Sequence, residues 1–367
     1  MADEVRLGII GTGQIGKSHI KKYQEVPGAK IVAVCDIDEA EAKRVAEEYK
    51  VPRVFTNFRD LLAEKEIAAV DVCLHNNLHA PVSIAALEAG KHVYCEKPLA
   101  GSYVDAKRMV DAARKTGRML HMQLGTLYAD ATKAAKHLID DGCLGRIYYA
   151  KSSSYRRRGR PYVDGYGTSS FVQKAIASAG ALYDMGVYHI GQILYLLGNP
   201  AVRTVSGATY QETGMYEHRR KDGRYDVEEL GVGLARLEGG VTFFIEEAWA
   251  IQLGGTDGSK IAGSKGGVSL DPFAFHSTIA DMEFNATADL GQASFRWEKC
   301  IPGTAAYKHS QAHWAAALRG EAPLLPTAEI GLATMLISEG IFLSQKLGRE
   351  VAPDEIVKHS VSTALKL

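Results

Sequence analysis

Two short stretches carry residues whose types and spacing could do chemistry: Gly11-x-Gly13-x-x-Gly16 and Glu96-Lys97-Pro98. The first follows the apolar run Val5–Ile10 and opens a helix-like stretch, and Asp36 closes the next apolar run, Ile31–Cys35. In that setting each residue has a job at a dinucleotide. Gly11 permits a tight turn, Gly13 lets the backbone approach a pyrophosphate, and Gly16 lets the helix pack close to the strand. The amides around Gln14 and Ile15, in the first helical turn, would then face the phosphates. Asp36 would accept hydrogen bonds from the adenine ribose hydroxyls and would repel a 2′-phosphate. No arginine follows it, only Ile37 and Asp38, so the expected cofactor is NAD rather than NADP. Glu96-Lys97-Pro98 follows the strand-like run His92–Cys95, and the proline fixes the backbone behind the lysine. An ammonium there would stabilise the alkoxide character that builds on an alcohol oxygen as hydride leaves. A bound NAD⁺ would in turn bias the lysine toward its neutral form.

Residues so far apart in sequence meet only if a parallel sheet collects them at its C-terminal edge, and the first 125 residues have that rhythm. Strand-like runs at Val5–Ile10, Ile31–Cys35, Val54–Phe55, Val70–Leu74, His92–Cys95 and Met119–Gln123 alternate with helix-like stretches, among them Asp38–Tyr49, Pro81–Ala89 and Tyr103–Thr116. Strands and helices at this spacing imply right-handed crossovers and a sheet covered on both faces. Leu74–His79 (LHNNLH) reads as a turn. Beyond Gly125 a helix, Asp130–Asp140, and a strand, Arg146–Tyr155, precede a polar loop and a helix over Gly180–Leu197. Then come strand-like runs, VRTVSGATY, EELGVGLARL, GVTFFIEEAW, KIAGSKGGVSL, MEFNATADL and QASFRWEK, with His218–Lys221 on a loop between them. Helices at Ser310–Leu318 and Ala328–Leu347 close the chain. The expected fold is an α/β Rossmann domain over residues 1–125, followed by an α+β domain over 126–367 with a large, mainly antiparallel sheet. The closing helices could pack back on the first domain.

Composition narrows the function classes. The 367 residues carry 43 basic and 43 acidic side chains, so no overall field draws in a polyanion and no nucleic-acid partner is expected. No apolar run of eighteen residues suggests a membrane span, and the first residues lack the pattern of a signal peptide. Five widely spaced cysteines offer no close pair for structural zinc, and no metal is expected. Together these features point to a cytoplasmic enzyme.

At this point the chain resembles the family of glucose–fructose oxidoreductase, inositol dehydrogenase and rhizopine catabolism proteins (Gfo/Idh/MocA). The resemblance rests on GTGQIG, on LHNNLH (74–79), on HVYCEKPLA (92–100) and on SAGALYDMGVYHIGQILYLLG (178–198). It implies a Rossmann domain followed by an open-faced α+β domain, and a homodimer or homotetramer formed through the exposed face of the large sheet. An open sheet with an apolar outer face needs a partner. The resemblance also implies that Lys97 is catalytic and that Asp184 and the residue four beyond it sit beside the reacting carbon. That residue is Tyr188 here, as in glucose–fructose oxidoreductase and the dihydrodiol dehydrogenases, where inositol-dehydrogenase-like members have histidine. Residues 184 and 188 share a helix face, so Tyr188 could relay a proton, with Lys97 lowering the cost of the phenolate. Asp184 could hold a sugar hydroxyl or orient the lysine. His189 stands open as a base, a cofactor contact or a core histidine. By analogy, the loop carrying Asn76 and His79, and Glu96 with Lys97, border the cofactor. Asn76 replaces the usual proline, and Gly125–Tyr128 (GTLY) departs from the commoner arginine-containing pattern, so the pocket differs from those of the best-known members.

Tyr155-Arg156-Arg157-Arg158-Gly159-Arg160-Pro161 is the densest basic run. Tyr155, Arg156, Arg157 and Arg158 could grip an anionic group of a sugar acid bidentately. A solvated surface, or a clamp on the cofactor pyrophosphate, reads equally well. His309 and His313 stand four apart on a helix like metal ligands, but no third ligand is near and ordinary packing fits them better. The leading expectation is hydride transfer between NAD and a secondary hydroxyl of a sugar, sugar acid or cyclitol. The alternative, found among relatives, starts with the same oxidation at C3 of a glycoside. The aglycone is eliminated, water adds and the hydride returns, which makes a glycosidase with no net redox.

Overall fold

The computed structural model describes residues 4–255 and 257–367. Strands β1 (Val5–Ile10), β2 (Ala29–Cys35), β3 (Arg53–Phe55), β4 (Ala69–Val72), β5 (His92–Cys95) and β6 (Leu120–Met122) form a parallel sheet in the order β3-β2-β1-β4-β5-β6. Helices α1 (Gln14–Gln24), α2 (Glu39–Tyr49), α3 (Phe58–Ala63), α4 (Asn76–Glu88) and α5 (Tyr103–Thr116) make the crossovers. Local chemistry sets their ends: the Asp38 side chain accepts from Glu41 N to start α2, and Gly117, at φ 65°, ends α5. Strand order reverses between β1 and β4, so the chain leaves those two strands in opposite directions and opens a crevice at their C-terminal ends.

One boundary differs from the sequence reading. LHNNLH is not a turn throughout, because α4 starts at Asn76 and carries Pro81 within it. A proline there cannot donate to the carbonyl four residues back. That carbonyl, Asn77 O, instead accepts from Leu365 N in the C-terminal tail at 3.1 Å. Two further tail amides and the Ser362 hydroxyl bond the fully buried Asp105 of α5. The end of the chain is thereby fastened to the first sheet's helices.

The second sheet has eight strands: β7 (Ile147–Tyr155), β8 (Val202–Tyr210), β9 (Leu230–Leu237), β10 (Thr242–Ala248), β11 (Lys260–Gly263), β12 (Gly266–Leu270), β13 (Phe273–Ile279) and β14 (Met282–Ala286). Their order is β14-β13-β12-β11-β7-β10-β9-β8, and only the β7–β10 pair is parallel. Helices α6 (Asp130–Asp140), α7 (Lys174–Ala177), α8 (Val187–Leu196), α9 (Glu217–Gly223), α10 (Leu290–Cys300), α11 (Ser310–Leu318), α12 (Thr327–Leu347) and α13 (Pro353–His359) complete the chain. Along β10, Phe243, Ile245 and Glu247 are buried, while Phe244 and Glu246 lie on the open face with Tyr149 and Lys151 of β7.

The sequence reading missed α3, α7, β13 and α13, and it placed His218–Lys221 on a loop where α9 stands. QASFRWEK is helical, not a strand, because it lies within α10. Its apolar residues alternate as in a strand, yet no residue of α10 is buried, so no core has imprinted a helical period on it. The Asp289 cap on Gln292 N decides the conformation instead.

Helix α12 is apolar enough to pass for a membrane span by length and composition, but its apolar window is 67% buried in protein. It packs against β8, α5, α8 and β6, and so ties the two sheets together. The approach is close at Gly207 of β8, where an added Cβ would lie 2.4 Å from Val232 O and 3.0 Å from Ile341 of α12. Gly207→Ala should therefore lower the unfolding free energy by about 1–3 kcal/mol, read from the urea midpoint with an unchanged slope.

Candidate functional site

The glycine loop sits at the crevice. Gly11 has φ 99°, and a Cβ on it would lie 2.3 Å from Cys73 O; a Cβ on Gly16 would lie 2.0 Å from Gly11 O. Gly13 has nothing within 4 Å of its Cβ position, and Gly13, Gln14 and Ile15 are exposed. Helix α1 begins there without a side-chain cap and without an acidic residue in its first turn. Open amides, no competing anion and room for close approach are what a pyrophosphate needs. At the end of β2, Asp36 Oδ2 accepts from Thr12 N at 2.8 Å and Thr12 Oγ1 at 2.9 Å, and Oδ1 from Asp38 N at 3.1 Å. These bonds aim the carboxylate at the loop and leave it lone pairs for hydroxyl donors. The chain's residues fit the adenosine-diphosphate part of NAD.

Across the crevice, Lys97 follows β5 and meets a segment brought from the second domain. Its Nζ lies 2.7 Å from Asp184 Oδ1, 3.1 Å from Asp184 O and 4.9 Å from the centre of the Tyr188 ring. Asp184 stands in a π-helical turn, Leu182–Gly186, that runs into α8 where the sequence suggested one regular helix. The other carboxylate oxygen accepts from Trp249 Nε1 at 2.9 Å. The side chains of Lys97 and Asp184 are only 14% and 22% exposed. Burial works against the Lys97 ammonium, but Asp184, Tyr188 and Glu96 more than offset it and hold the lysine above its usual range. Burial likewise opposes the Asp184 carboxylate, and Lys97 with Trp249 holds it below the usual range. Burial pushes the Tyr188 phenol up to about 12, although Lys97 pulls the other way. As described, then, Lys97 is charged and Tyr188 is a neutral phenol, so the lysine does not lower the phenol below its ordinary value.

His189 Nδ1 lies 2.9 Å from Glu247 Oε2, and the fully buried Glu247 also accepts from Ser152. Burial opposes the imidazolium, and Glu247 outweighs it, so the histidine titrates above its ordinary value. Nε2 has no partner among the described residues. The basic run divides. Arg156 is exposed, donates to Tyr166 Oη at 2.6 Å, and lies close enough to act electrostatically on both Asp184 and His189. Tyr155 and Arg157 bond backbone carbonyls of residues 253–255, and Arg158 reaches Asp164 and the Tyr216 ring. Arg160 is wholly buried between Asp164 and Glu229 and is a core clamp.

Other residues singled out from sequence turn inward. His79 is fully buried, with its ring nitrogens on Pro98 O and Leu74 O at 2.8 and 3.0 Å. Asn76 Nδ2 donates to Ala177 O at 2.7 Å, and Glu96 bonds Lys97 N and His19. His309 caps α11, and His313 Nε2 accepts from Leu325 N at 3.0 Å, which is ordinary packing. Sequence reasoning missed His19, Asp71, Trp249 and Glu247. The only trace of the last two was their place at the end of the run GVTFFIEEAW.

Fold and loop together define an NAD-binding oxidoreductase. Residues 5–124 match the family described as "Oxidoreductase family, NAD-binding Rossmann fold", and residues 132–269 match the "GFO/IDH/MocA C-terminal domain". The chain belongs to the Gfo/Idh/MocA family. It is 31% identical to the D-glucoside 3-dehydrogenase of Escherichia coli (strain K12) over 73% of this chain and 77% of that one. It is 34% identical to the inositol 2-dehydrogenase of Salmonella typhimurium over 39% of this chain and 43% of that one. Among solved structures, levoglucosan dehydrogenase in complex with NADH and levoglucosan superposes with TM-score 0.79 at 22% identity, over 95% of this chain and 99% of that one. An oxidoreductase domain protein from Kribbella flavida gives TM-score 0.81 at 21% identity, covering 95% and 99%.

The Lys97–Asp184 pair makes a prediction that needs no substrate. Asp184→Asn leaves the ammonium buried without its counter-charge and should cost about 3 kcal/mol of stability, measured by denaturant titration. Asp184 is held below its ordinary value and Lys97 above. The pair's contribution is therefore complete from about pH 4 to about pH 10 and shrinks as pH falls below about 4.

Proposed function

We propose that this protein oxidises a secondary hydroxyl of a sugar, sugar acid or cyclitol at the Lys97–Asp184–Tyr188 cluster. The observation that carries the reading is the buried Lys97–Asp184 contact at the C-terminal edge of β5, with the Tyr188 ring against the same ammonium. The names of the relatives, a D-glucoside 3-dehydrogenase and an inositol 2-dehydrogenase, support the substrate class. NAD, when bound, supplies the two-electron acceptor. Asp36 and the amides of Gln14 and Ile15 hold its ribose and phosphates. Lys97 stabilises negative charge on the reacting oxygen, and Tyr188 passes the hydroxyl proton. Asp184, braced by Trp249, fixes the lysine's reach. Arg156, without an acidic partner among the described residues and near Asp184, is the residue that would meet an anionic substituent of the sugar.

Because Lys97 and Tyr188 are both held protonated, oxidation must first release a proton, and its kcat should climb with pH into the alkaline range. Tyr188→Phe should lower kcat about 10²–10⁴-fold with little change in NADH affinity. Asp36→Asn should do the reverse, weakening NADH by about tenfold and narrowing its preference over NADPH, read by fluorescence titration.

A second reading is redox-neutral glycoside cleavage, favoured by the His189–Glu247 dyad, whose free Nε2 could take the proton next to a transient C3 ketone. The test of both is a stoichiometry: NAD⁺ with a panel of neutral and acidic sugars and their aryl glycosides, following NADH and free sugar together. One NADH per oxidised sugar supports the dehydrogenase. Many sugars released per NAD⁺ without lasting NADH overturns it in favour of the glycosidase.

The open face of the large sheet, with Tyr149, Phe244 and Val232 around a shallow depression, supports a homo-oligomer built through that face. The free thiols of all five cysteines support a reducing, cytoplasmic setting. We place the domain boundary near residue 125, where β6 ends and the two family matches part.

A further inference from the structure

Behind Lys97 lies a buried group of charges that the reaction proposed above does not use. Glu96 Oε2 accepts from Lys97 N at 3.0 Å, and Glu96 Oε1 lies 2.9 Å from His19 Nε2. On the other side of the ring, His19 Nδ1 lies 2.9 Å from Asp71 Oδ2. His19 is 3% exposed, Asp71 0% and Glu96 7%. His19 belongs to α1, the helix that the glycine loop opens, Asp71 to β4, and Glu96 to the end of β5. The chain of contacts therefore runs from the phosphate-binding helix, through the sheet's switch point, to the backbone of the lysine.

The charge state follows from donor counting. A neutral imidazole donates from one nitrogen only, so with a carboxylate on each side it would point a lone pair at an anion in a site closed to water. Protonated on both nitrogens, the ring donates to both carboxylates and supplies their counter-charge, the condition under which buried charges are tolerated. The other side chains packed against the ring are neutral. Cys73 Sγ lies 3.3 Å from Asp71 Oδ1 and 3.4 Å from His19 Nδ1, and the Tyr94 ring lies 5.6 Å away, nearly perpendicular to the imidazole. Tyr23, one turn along α1, is a buried phenol that feels Asp71. Beyond Glu96 stand Lys97 and Tyr188, and the Tyr188 phenol is sensitive to the His19 charge.

We infer that His19 is a positioning residue: as a permanent imidazolium clamped between Asp71 and Glu96, it holds Glu96 on the Lys97 amide and so sets the reach of Lys97 toward Asp184 and the substrate oxygen. The role rests on Lys97 acting at that oxygen, whereas the charge state of the clamp does not. The sheet alone does not fix the residue after β5, because the chain there leaves the ladder. The carboxylate that grips the amide is itself aimed by the imidazole. The direction of the Glu96 titration, held below its ordinary value against burial chiefly by His19, accords with this.

Two arms test it. In the first, the purified full chain without added substrate is labelled with ¹⁵N-histidine. Among its 12 histidines, one should show both ring nitrogens protonated and unmoved from pH 6 to 9, and His19→Gln should remove that signal. Should His19→Gln fail to fold, the wild-type spectrum still decides the charge state, with Glu96→Gln serving for assignment. The second arm uses the best substrate from the panel above. His19→Gln should lower kcat about 10–100-fold while substrate KM changes less than threefold. The acid limb of kcat should also move up by about one pH unit, since the Tyr188 phenol, whose proton release helps set that limb, loses a neighbouring cation. Glu96→Gln should lose kcat similarly but move the limb the opposite way, since the Tyr188 phenol and the Lys97 ammonium lose a neighbouring anion. A singly protonated His19 at pH 7 overturns the clamp. A loss of kcat without movement of the acid limb, or unchanged kcat, overturns the positioning role. Absence of turnover on every sugar refutes the substrate reading, while the charge state of His19 still stands or falls on the histidine spectrum.

Discussion

The structure depends on one buried contact between residues 87 positions apart, the Lys97 ammonium on Asp184. Each partner comes from a different sheet system: Lys97 from the end of β5 in the parallel sheet, Asp184 from the π-turn leading into α8. Neither charge would be tolerated alone in so enclosed a place. The pair therefore selects one relative placement of the cofactor crevice and the second domain. The supporting contacts converge on it, with Trp249 from the end of β10 on one carboxylate oxygen and Lys97 on the other.

That arrangement also sets the proton chemistry. A lysine held charged and a phenol held neutral form a donor set, suited to protonating a carbonyl oxygen and, in the opposite direction, to stabilising an alkoxide. Several surrounding acids are paired with a basic side chain: Asp184 with Lys97, Glu96 with His19, Glu247 with His189, Asp164 and Glu229 with Arg160. Arg156 stands apart, exposed and bonded to a phenol and a carbonyl instead of a carboxylate.

Much of this was legible from sequence, for physical reasons that differ by element. The parallel sheet could be read because its strands are buried on both faces and appear as short apolar runs. The glycine loop could be read because sterics demand glycine at residues 11 and 16, as the 2.3 Å and 2.0 Å Cβ approaches show. Lys97 could be read from its place between an apolar strand and a proline, Asp184 and Tyr188 were found through a resemblance, and the structure brings all three together. His79 and Asn76 were placed beside the cofactor by family analogy, and their side chains bond the backbone of Pro98, Leu74 and Ala177. Helix α10 escaped because nothing is buried on it. His19, Asp71, Trp249 and Glu247 escaped because their meaning lies in partners 52 to 65 positions away or on another strand. No local pattern encodes such a pairing.

The central claim is that Lys97 and Asp184 act as one unit, and a double-mutant cycle tests it most directly. Lys97→Met, Asp184→Asn and the double variant would be compared with the parent for unfolding free energy at pH 7 and for the rate of NADH formation. The account predicts strong coupling. Each single variant should lose both stability and rate, and the double variant should be no slower than Lys97→Met and more stable than Asp184→Asn, since it no longer buries an unpaired ammonium. Losses that simply add, in stability and in rate, would contradict it.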